Sequence, residues 1–410
     1  MTALHLRGPV IVDGDRVAAQ AWVVGGRITF ERPAEVDGSL DGWVLPGLVD
    51  VHCHIGLGAQ GEVDRDTALG QARADRDAGV LLIRDAGSPA DTRWMDDRDD
   101  LPRLIRAGRH LARPKRYLRH YARELADVAE LPAAVAEEAD RGDGWVKLVA
   151  DWIDRDLGPD GDLRPLWPDD VLAEAVRVAH EHGARVTAHT FATEALDGLL
   201  DAGIDCLEHA TGADPAQIDR IAAAGIPVTA TLLQVAQFGA IADQAVKYPV
   251  YAARMRRMHG RRYAHVRNLY DAGVPLLLGT DAGGTIAHGR IADEAAELLA
   301  AGIADAEVVA AASWRTRGWL GMPGLVEGES ADLVVYDADP RADARVLAAP
   351  RGCAAARGAG GLTGRPVAGA ARPVSPRPGA PGTRSCAGSP GPAARRRTGP
   401  TASAHRGTRP

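Results

Sequence analysis

Six side chains of this sequence combine the residue types and the spacing that metal-dependent chemistry requires. They are His52 and His54 in VDVHCHIG, Lys147 in GWVKLVAD, His189 in VTAHTF, His209 in CLEHAT and Asp281 in LLLGTDAGG. Because residues two apart on a strand point to the same side, we expect both imidazoles of the HxH pair to face one way and Cys53 the other. Imidazole and carboxylate are common ligands of divalent cations, so the set predicts a two-metal site.

The pattern carries more weight than any single residue in it. One histidine in an apolar strand is commonly a core or surface residue, whereas four histidines at successive strand ends, followed by GTDAG, are poorly explained by coincidence. Six other histidines fall on presumed helices, the small terminal module or the tail and receive no role: His5, His180, His182, His259, His265 and His405.

Eight apolar runs alternate with helical segments and predict the elements that position these residues. The runs cover residues 44–55, 79–87, 102–112, 145–151, 185–191, 206–211, 226–233 and 274–283. Such alternation is typical of βα units with a parallel sheet, and eight units indicate a (β/α)8 TIM barrel of the α/β class. Barrel enzymes place active sites at the carboxyl ends of the strands, where five runs carry the six residues. The helix predicted at 169–183 has an apolar face made of Leu172, Ala175, Val176 and Ala179 and should end at Gly183.

Short strand patterns near both ends of the chain predict a small flanking β-sandwich. Residues 1–43 contain strand-like runs broken by turns, and ADLVVYDADP at 331–340 is again a β run. We therefore expect an N-terminal sandwich part at 1–43, the barrel at 44–325 and a C-terminal sandwich part at 326–350.

Composition excludes several function classes. The net charge is −7, and residues 351–410 hold eleven arginines without any acidic residue or lysine, which leaves about −18 on the first 350 residues. An acidic body argues against a nucleic-acid partner. The N-terminus lacks a signal-peptide core, and no run approaches the roughly 20 apolar residues that span a bilayer. The four cysteines show no disulfide or zinc spacing. We expect a cytoplasmic protein without a membrane partner, and the sequence leaves its oligomeric state open, a homo-oligomer included.

The order and spacing of the motifs make this sequence similar to the amidohydrolase superfamily of metal-dependent hydrolases. The resemblance rests on PGLVDVHCH, WVKLVAD, VTAHTF, CLEHAT, LLLGTDAGG and ADLVVYD, and it covers nearly all of the chain up to about residue 340. Within the superfamily the sequence most resembles the imidazolonepropionase-like and Xaa-Pro dipeptidase-like branch. The resemblance implies a (β/α)8 barrel with a flanking β-sandwich.

The resemblance also implies how the six residues divide between two metals. One divalent ion would be held by the HxH pair and Asp281, the other by His189 and His209. Lys147, carboxylated at its amine by CO2, would bridge the two ions as a carbamate. Arginine cannot take this part, because a guanidinium stays protonated. Zinc fits these ligands best, with manganese and iron as alternatives.

Such a metal pair implies hydrolysis of an amide C–N bond. A hydroxide shared by the two ions would attack the carbonyl carbon, and Asp281 would accept its proton and pass it to the leaving nitrogen. The bridging lysine favours a dipeptide or N-acyl amino acid as the small-molecule substrate. A cyclic amide of the imidazolone or lactam type is the alternative, and a non-catalytic barrel that only binds a ligand is a third interpretation.

Four residues outside the metal set are candidates for substrate binding. ARPKRYLRH supplies Arg116 and Tyr117, which could hold a carboxylate through a charge-assisted fork and a hydroxyl, unless the segment is only a solvated basic loop. His110, at the end of the third run, is a candidate of the same type. His288 in AHGRI, beyond Asp281, either contacts substrate or begins a helix. The run VTATLLQVAQF offers no tyrosine of the kind that some dipeptidase relatives use to polarise the scissile carbonyl.

The composition changes abruptly after residue 350. Residues 351–410 are rich in Arg, Ala, Gly and Pro and contain no aromatic residue, so we expect a disordered basic tail that cannot bury enough apolar surface to fold. RGCAAARGAGG stands where the superfamily has a final sandwich strand. Our hypothesis for this composition is a shifted reading frame near codon 350 of a GC-rich gene, and the alternative is a selected basic tail for nucleic acid or acidic partners.

Overall fold

The computed structural model describes residues 3–354, which form strands, α-helices and four short 3-10 segments. The strands are β1 (Ala3–Ile11), β2 (Val17–Val24), β3 (Arg27–Thr29), β4 (Gly38–Asp41), β5 (Trp43–Pro46), β6 (Leu48–Cys53), β7 (Leu57–Gly58), β8 (Gly61–Glu62), β9 (Val80–Asp85), β10 (Arg103–Arg106), β11 (Leu111–Ala112), β12 (Arg123–Glu124), β13 (Trp145–Val149), β14 (Asp151–Ile153), β15 (Leu163–Pro165), β16 (Arg185–Thr190), β17 (Cys206–His209), β18 (Val228–Thr229), β19 (Leu276–Leu277), β20 (Leu333–Tyr336) and β21 (Gly352–Ala354). The helices are α1 (Arg65–Asp77), α2 (Leu131–Arg141), α3 (Asp169–Glu181), α4 (Thr193–Ala202), α5 (Pro215–Ala224), α6 (Leu232–Ala236), α7 (Phe238–Gln244), α8 (Pro249–Asp271), α9 (Ile291–Ala300), α10 (Asp305–Ala312) and α11 (Trp314–Trp319). The 3-10 segments are Arg93–Met95, Val128–Glu130, Arg155–Asp160 and Ala344–Ala348. In the described part of the chain, no helix is long and apolar enough to cross a membrane.

A small sheet is built from both ends of the described chain. Its strand order is β21-β20-β5-β1-β2-β3, with β4 paired to β1. β20 lies antiparallel to β5, with Val335 opposite Val44. One face of the sheet forms a separate apolar core that includes Leu6, Val10, Ala21, Val23, Ile28, Val44, Leu333 and Val335. β21 adds antiparallel to β20, although its residues, Gly352–Ala354, were predicted to belong to the disordered tail. The rest of the predicted tail lies outside the described residues.

The first predicted barrel run, residues 44–55, is divided between two sheets. β5 belongs to the small sheet, β6 begins the parallel strands, and Gly47 lies between them. A β-carbon at Gly47 would come within 2.7 Å of the Leu81 side chain. The chain therefore needs glycine where it crosses from one sheet to the other.

The strands of the central region are parallel and, apart from β12, lie in the order of the sequence. One sheet has the order β10-β9-β6, and the other has the order β12-β11-β13-β16-β17-β18-β19. Beyond β19 the chain bonds back to β6: Val51 N donates to Leu278 O at 3.0 Å, and His54 N donates to Ala282 O at 2.8 Å. The first parallel strand is therefore a neighbour of the last. Parallel strands joined through helices give the predicted mixed α/β architecture.

Several strands are shorter than their apolar runs predict. The third run is split into β10 and β11, the seventh keeps extended pairing only in β18, and the eighth only in β19. In the last two runs the extended conformation ends before Thr231 and before Asp281. Thr231 and Asp281 there have φ values of +44° and +57°.

The helix predicted at 169–183 is confirmed as α3. Its buried residues are the predicted Leu172, Ala175, Val176 and Ala179. Gly183, with φ at +72°, follows the helix in the left-handed conformation that favours glycine at a helix end.

Candidate metal centre

The HxH pair and Asp281 meet at the carboxyl ends of β6 and β19. The Nε2 atoms of His52 and His54 each lie 3.1 Å from Asp281 Oδ1. Both rings are almost fully buried. The Nδ1 of His54 donates to the carbonyl oxygen of Gly87 at 2.7 Å, which fixes the ring and directs Nε2 at the carboxylate. A histidine held from behind in this way presents its other nitrogen as a metal ligand.

An irregularity in β6 directs both rings into the same space. The register with β9 shifts between Asp50 and Cys53, and Asp50 Oδ1 accepts the backbone N–H of His52 at 3.0 Å. Cys53 faces a different set of side chains, since its sulfur and one ligand atom each of Asp75 and His288 lie within 4.8 Å of one another. Local departures from regular pairing commonly redirect side chains next to active sites.

His189 and His209, at the ends of β16 and β17, form the second half of the centre. His209 Nε2 lies 3.1 Å from His189 Nδ1, and His209 Nδ1 lies 2.5 Å from the hydroxyl of Thr231. The buried Nε2 of His189 has no hydrogen-bond partner among the described residues. A buried ring nitrogen without a partner calls for an explanation, and a metal ligand position supplies one.

Backbone strain accompanies this geometry. The φ angle is +65° at His209 and +57° at Asp281, a left-handed conformation that non-glycine residues rarely adopt. Each such residue costs of order 1–3 kcal/mol and persists only where the surrounding structure enforces it. The turn at His209 also ends the regular alternation of β17. Glu208 and His209, which strict alternation would place on opposite faces, both reach the interior.

Glu208 is a buried charge of the centre that the sequence interpretation missed. Its carboxylate contacts the Nζ of Lys147 and accepts hydrogen bonds from Thr187 Oγ1 at 2.8 Å and from Arg84 Nη2 at 3.4 Å. Lys147 and Glu208 are both 0% exposed. The available signal was an acidic residue inside the apolar strand CLEH, directly before His209.

Burial and pairing keep the histidine ring of His209 neutral and the carboxylates of Asp281 and Glu208 ionised. Burial lowers the pKa of His209 to about 3, so its ring is neutral at physiological pH. Burial would raise the pKa of Asp281, but interaction with His52 holds it well below the usual range. The pKa of Glu208 is likewise held well below its usual range, despite burial, by interaction with His52 and Lys147. Neutral imidazole and ionised carboxylate are the forms that bind metals.

These donors fit a divalent metal. One ligand atom each from His52, His209 and Asp281 lies within 4.8 Å of the other two. This group joins residues that the sequence interpretation assigned to different ions, because the His52 and His209 rings are only 5.1 Å apart between centroids.

A cavity of about 650 Å³ adjoins the centre. His54, His189 and Asp281 line it from the metal side. Its walls are largely aromatic, with Tyr117, Tyr121, Trp152, Phe191, Tyr248 and Tyr251. A mostly apolar cleft that ends at convergent polar groups is typical of a site for a small organic molecule.

Two of the predicted substrate residues lie beside the metal centre. Tyr117 lines the cavity, and its ring centroid lies 5.0 Å from that of Trp152. His110 is fully buried behind it, with ring centroids 5.0 Å from His54 and 5.3 Å from Tyr117. Burial lowers the pKa of His110 well below its ordinary value, so its ring is neutral.

The structure does not bring the other two, Arg116 and His288, to the lining of this cavity. Arg116 Nη2 pairs with Asp154 Oδ1 at 2.7 Å and with Asp156 Oδ2 at 2.8 Å. His288 Nδ1 lies 2.8 Å from Asp75 Oδ2. Carboxylates of the protein itself thus engage both side chains, and neither residue lines this cavity.

Comparison with known proteins agrees with the motifs and the fold. Residues 43–356 match the amidohydrolase family. An uncharacterized protein of Mycobacterium tuberculosis is 55% identical over 348 residues, 85% of this chain and 93% of that protein, and an uncharacterized protein of Mycobacterium bovis matches to the same extent.

Solved structures share the architecture at low sequence identity. A Xaa-Pro dipeptidase with bound methionine in the active site has a TM-score of 0.71 at 21% identity, covering 86% of this chain and 98% of that one. A putative prolidase from Bifidobacterium longum has a TM-score of 0.72 at 24% identity, covering 87% and 93%. These likenesses establish a common fold. With a family match over most of its length and metal-type ligands at its parallel strand ends, the chain belongs to the amidohydrolase family and is a metal-dependent hydrolase of carbon–nitrogen bonds.

Proposed function

We propose that the protein is a binuclear metal hydrolase that cleaves the amide bond of a dipeptide or N-acyl amino acid at the mouth of a closed (β/α)8 barrel. The observation that carries the proposal is the convergence of both histidine pairs and Asp281 beside one cavity. Lys147 joins this group through Glu208, which it contacts and which lies 3.8 Å from His52 Nε2. Asp281 belongs both to the ligand cluster and to the cavity lining, so it is placed to touch a bound substrate.

In this proposal the HxH pair and Asp281 would hold one ion, while His189 and His209 would hold the other. Lys147, once carboxylated by CO2, would supply a further anionic ligand to both ions, and zinc would be the preferred metal because neutral imidazoles and carboxylates dominate the ligand set. When bound, the metal pair supplies an activated water near neutral pH and polarises the substrate carbonyl.

Asp281 is suited to move the proton. Interaction with His52 keeps its pKa well below the usual range, so its carboxylate is ionised at physiological pH. Its side chain is 17% exposed, against 1% for His52 and 4% for His54, so it is the member of this trio most open to the cavity. A carboxylate there can take a proton from the attacking water and deliver it to the departing nitrogen.

Lys147 and its surroundings are compatible with carboxylation. As an amine the side chain is paired with Glu208, and Glu208 is independently held by Arg84 and Thr187. The carboxylate therefore keeps partners when the lysine changes from a cation to an anion. A buried acid without that second set of partners would oppose the change.

The proposal is tested by metal analysis together with a hydrolysis screen. The purified protein, loaded with zinc or manganese in bicarbonate buffer, is expected to retain two ions per chain and to cleave members of a dipeptide and N-acyl amino acid panel. A lactam and imidazolone panel examines the cyclic-amide alternative. Substoichiometric metal together with no cleavage of any panel would contradict the proposal.

A further inference from the structure

The cavity beside the metal centre has an uneven distribution of charge. Among the described residues that line it, Asp281 is the only acidic one, and it belongs to the metal centre. Arg155 and Lys247 also line the cavity, and both are exposed. Arg155 begins the 3-10 segment that follows β14, and Lys247 lies between α7 and α8. Two separate segments of the chain thus bring cations to the outer part of one site.

These two cations are unengaged, in contrast to other arginines nearby. Within the described chain, neither Arg155 nor Lys247 forms an ion pair with a carboxylate at 4.0 Å or less. Neither of them makes a side-chain hydrogen bond there. Arg116 has two carboxylate partners, and Arg254 pairs with both Asp162 and Glu194. Free cations at the mouth of a cleft attract an anionic ligand and bind it by charge-assisted hydrogen bonds.

The rest of the lining is apolar or neutral. Tyr117 and Trp152 meet edge to face, and Phe191 packs against His189 with ring centroids 4.3 Å apart. Apart from the tyrosine hydroxyls and the indole N–H, the remaining polar side chains are Gln234, Gln237, Gln244 and Thr285. None of these groups can neutralise an ammonium, whereas the aromatic walls bury a large apolar group favourably.

We infer that the cavity selects N-acyl amino acids with a bulky apolar or aromatic acyl group over free dipeptides. The substrate carboxylate binds Arg155 and Lys247, the acyl group packs among the aromatic walls, and the amide lies between them at the metal centre. A dipeptide would bring an α-ammonium group into a site whose only acidic side chain is already a metal ligand. This inference rests on the proposed function and specifies which of its two substrate types the site takes.

Matched substrates and matched variants test the inference. N-benzoyl-leucine carries the carboxylate, and its C-terminal carboxamide is the neutral analogue. N-(3-phenylpropanoyl)-leucine and Phe-Leu form a second pair that differs only by the free amine beside the scissile bond. For the metal-loaded full chain we expect kcat/KM to fall roughly tenfold or more from N-benzoyl-leucine to its carboxamide, since one charge-assisted contact is worth about that factor. We also expect kcat/KM to fall roughly tenfold or more from N-(3-phenylpropanoyl)-leucine to Phe-Leu, because the cavity would have to bury the ammonium without an acidic partner. Lys247→Met and Arg155→Met should each lower kcat/KM for N-benzoyl-leucine several-fold and leave the carboxamide unaffected. Lys115→Met removes an exposed lysine that does not line the cavity and serves as the control.

Binding provides a readout that does not depend on turnover. Calorimetry with an N-arylsulfonyl leucine, which has no amide bond to cleave, should give tighter binding than its carboxamide, and the difference should shrink as salt is raised. Equal binding of both probes, or equal kcat/KM for N-(3-phenylpropanoyl)-leucine and Phe-Leu, overturns the inference while the proposed function stands. If no substrate is cleaved although the arylsulfonyl acid binds through Lys247 and Arg155, the proposed function fails and the anion subsite remains.

Discussion

Replacing Lys147 by arginine separates positive charge from amine chemistry at the centre of the proposed site. The lysine is completely buried and pairs with Glu208. Arginine keeps the positive charge, so the buried ion pair can persist, but a permanently protonated guanidinium does not add CO2. The larger head group in a packed interior should lower the free energy of unfolding by roughly 1–3 kcal/mol, which leaves a folded protein.

The expected loss concerns the second metal and the reaction rate. Without a carbamate the second ion keeps His189 and His209 as its protein ligands, whereas catalytic zinc sites use three. We therefore expect the metal content to fall from two ions per chain to at most one. The proposed chemistry needs both ions, so kcat/KM for any substrate found in the screen should fall by at least about 100-fold.

Metal content by mass spectrometry and kcat/KM, each measured with zinc and bicarbonate present, decide the matter. Native mass spectrometry of the wild type should also reveal the added mass of one CO2, which the variant lacks. Lys115→Arg makes the same chemical change at an exposed site and should leave metal and rate unchanged. A folded Lys147→Arg protein with both ions and full activity would show that the carbamate bridge is wrong.

Three further changes test the packing and electrostatics that position the centre. Gly279→Ala should cost roughly 1–3 kcal/mol in thermal unfolding and reduce metal retention, because its β-carbon would come within 2.6 Å of the first histidine of the HxH pair; Gly70→Ala, in an open helical position, should be neutral or stabilising by up to about 1 kcal/mol. In the metal-free, uncarboxylated protein, Glu208→Gln leaves the buried ammonium of Lys147 without its anionic partner and should lower the free energy of unfolding in urea by about 3–5 kcal/mol; an unchanged urea midpoint would show that this ion pair does not stabilise the fold. Burial raises the pKa of Glu294 from an ordinary 4.5 to about 8, so the unfolded chain releases this proton first and stability should fall as pH rises from about 4.5 to 8, by on the order of 5 kcal/mol. Glu294→Gln should flatten that slope, and an unchanged slope in urea titrations across the window would assign it to other groups.

The elements of the fold follow largely from local sequence patterns. Apolar runs separated by amphipathic helices predicted the parallel strands in order, and the face of α3 matched residue by residue. The ends of the strands were harder to predict from the sequence. The chain leaves the extended conformation where tertiary packing enforces positive φ, as at Thr231 and Asp281. Positive φ is uncommon even at aspartate, which adopts it more often than most residues, and it is exceptional at a β-branched threonine, so the sequence alone does not indicate these turns.

The candidate site was predictable where one residue type at a strand end suffices, and not where partners are distant in sequence. The HxH pair could be recognised from the chain alone. The ion pairs of Arg116 could not be predicted from the chain alone, because its partners Asp154 and Asp156 approach it only after the connecting segments fold. Glu208 was missed for a different reason, since the alternation rule fails at the strained residue that follows it.

The position of Arg84 explains why the interior can hold so many charges. Its guanidinium is completely buried and lies 4.7 Å from the ring centroid of Trp145. Its Nε donates to the carbonyl oxygen of Val51 at 2.7 Å, so the side chain is anchored independently of Glu208.

A buried ion pair contributes little net stability compared with apolar packing, but removing one partner is costly. In the uncarboxylated protein Glu208 has two cationic partners, Arg84 and Lys147. In the proposed carboxylated form Lys147 becomes an anion directed at the metals, and Arg84 remains the cation beside Glu208. Because Arg84 is fixed by its own contacts, Lys147 can change from a cation to an anion while Glu208 keeps a cationic partner.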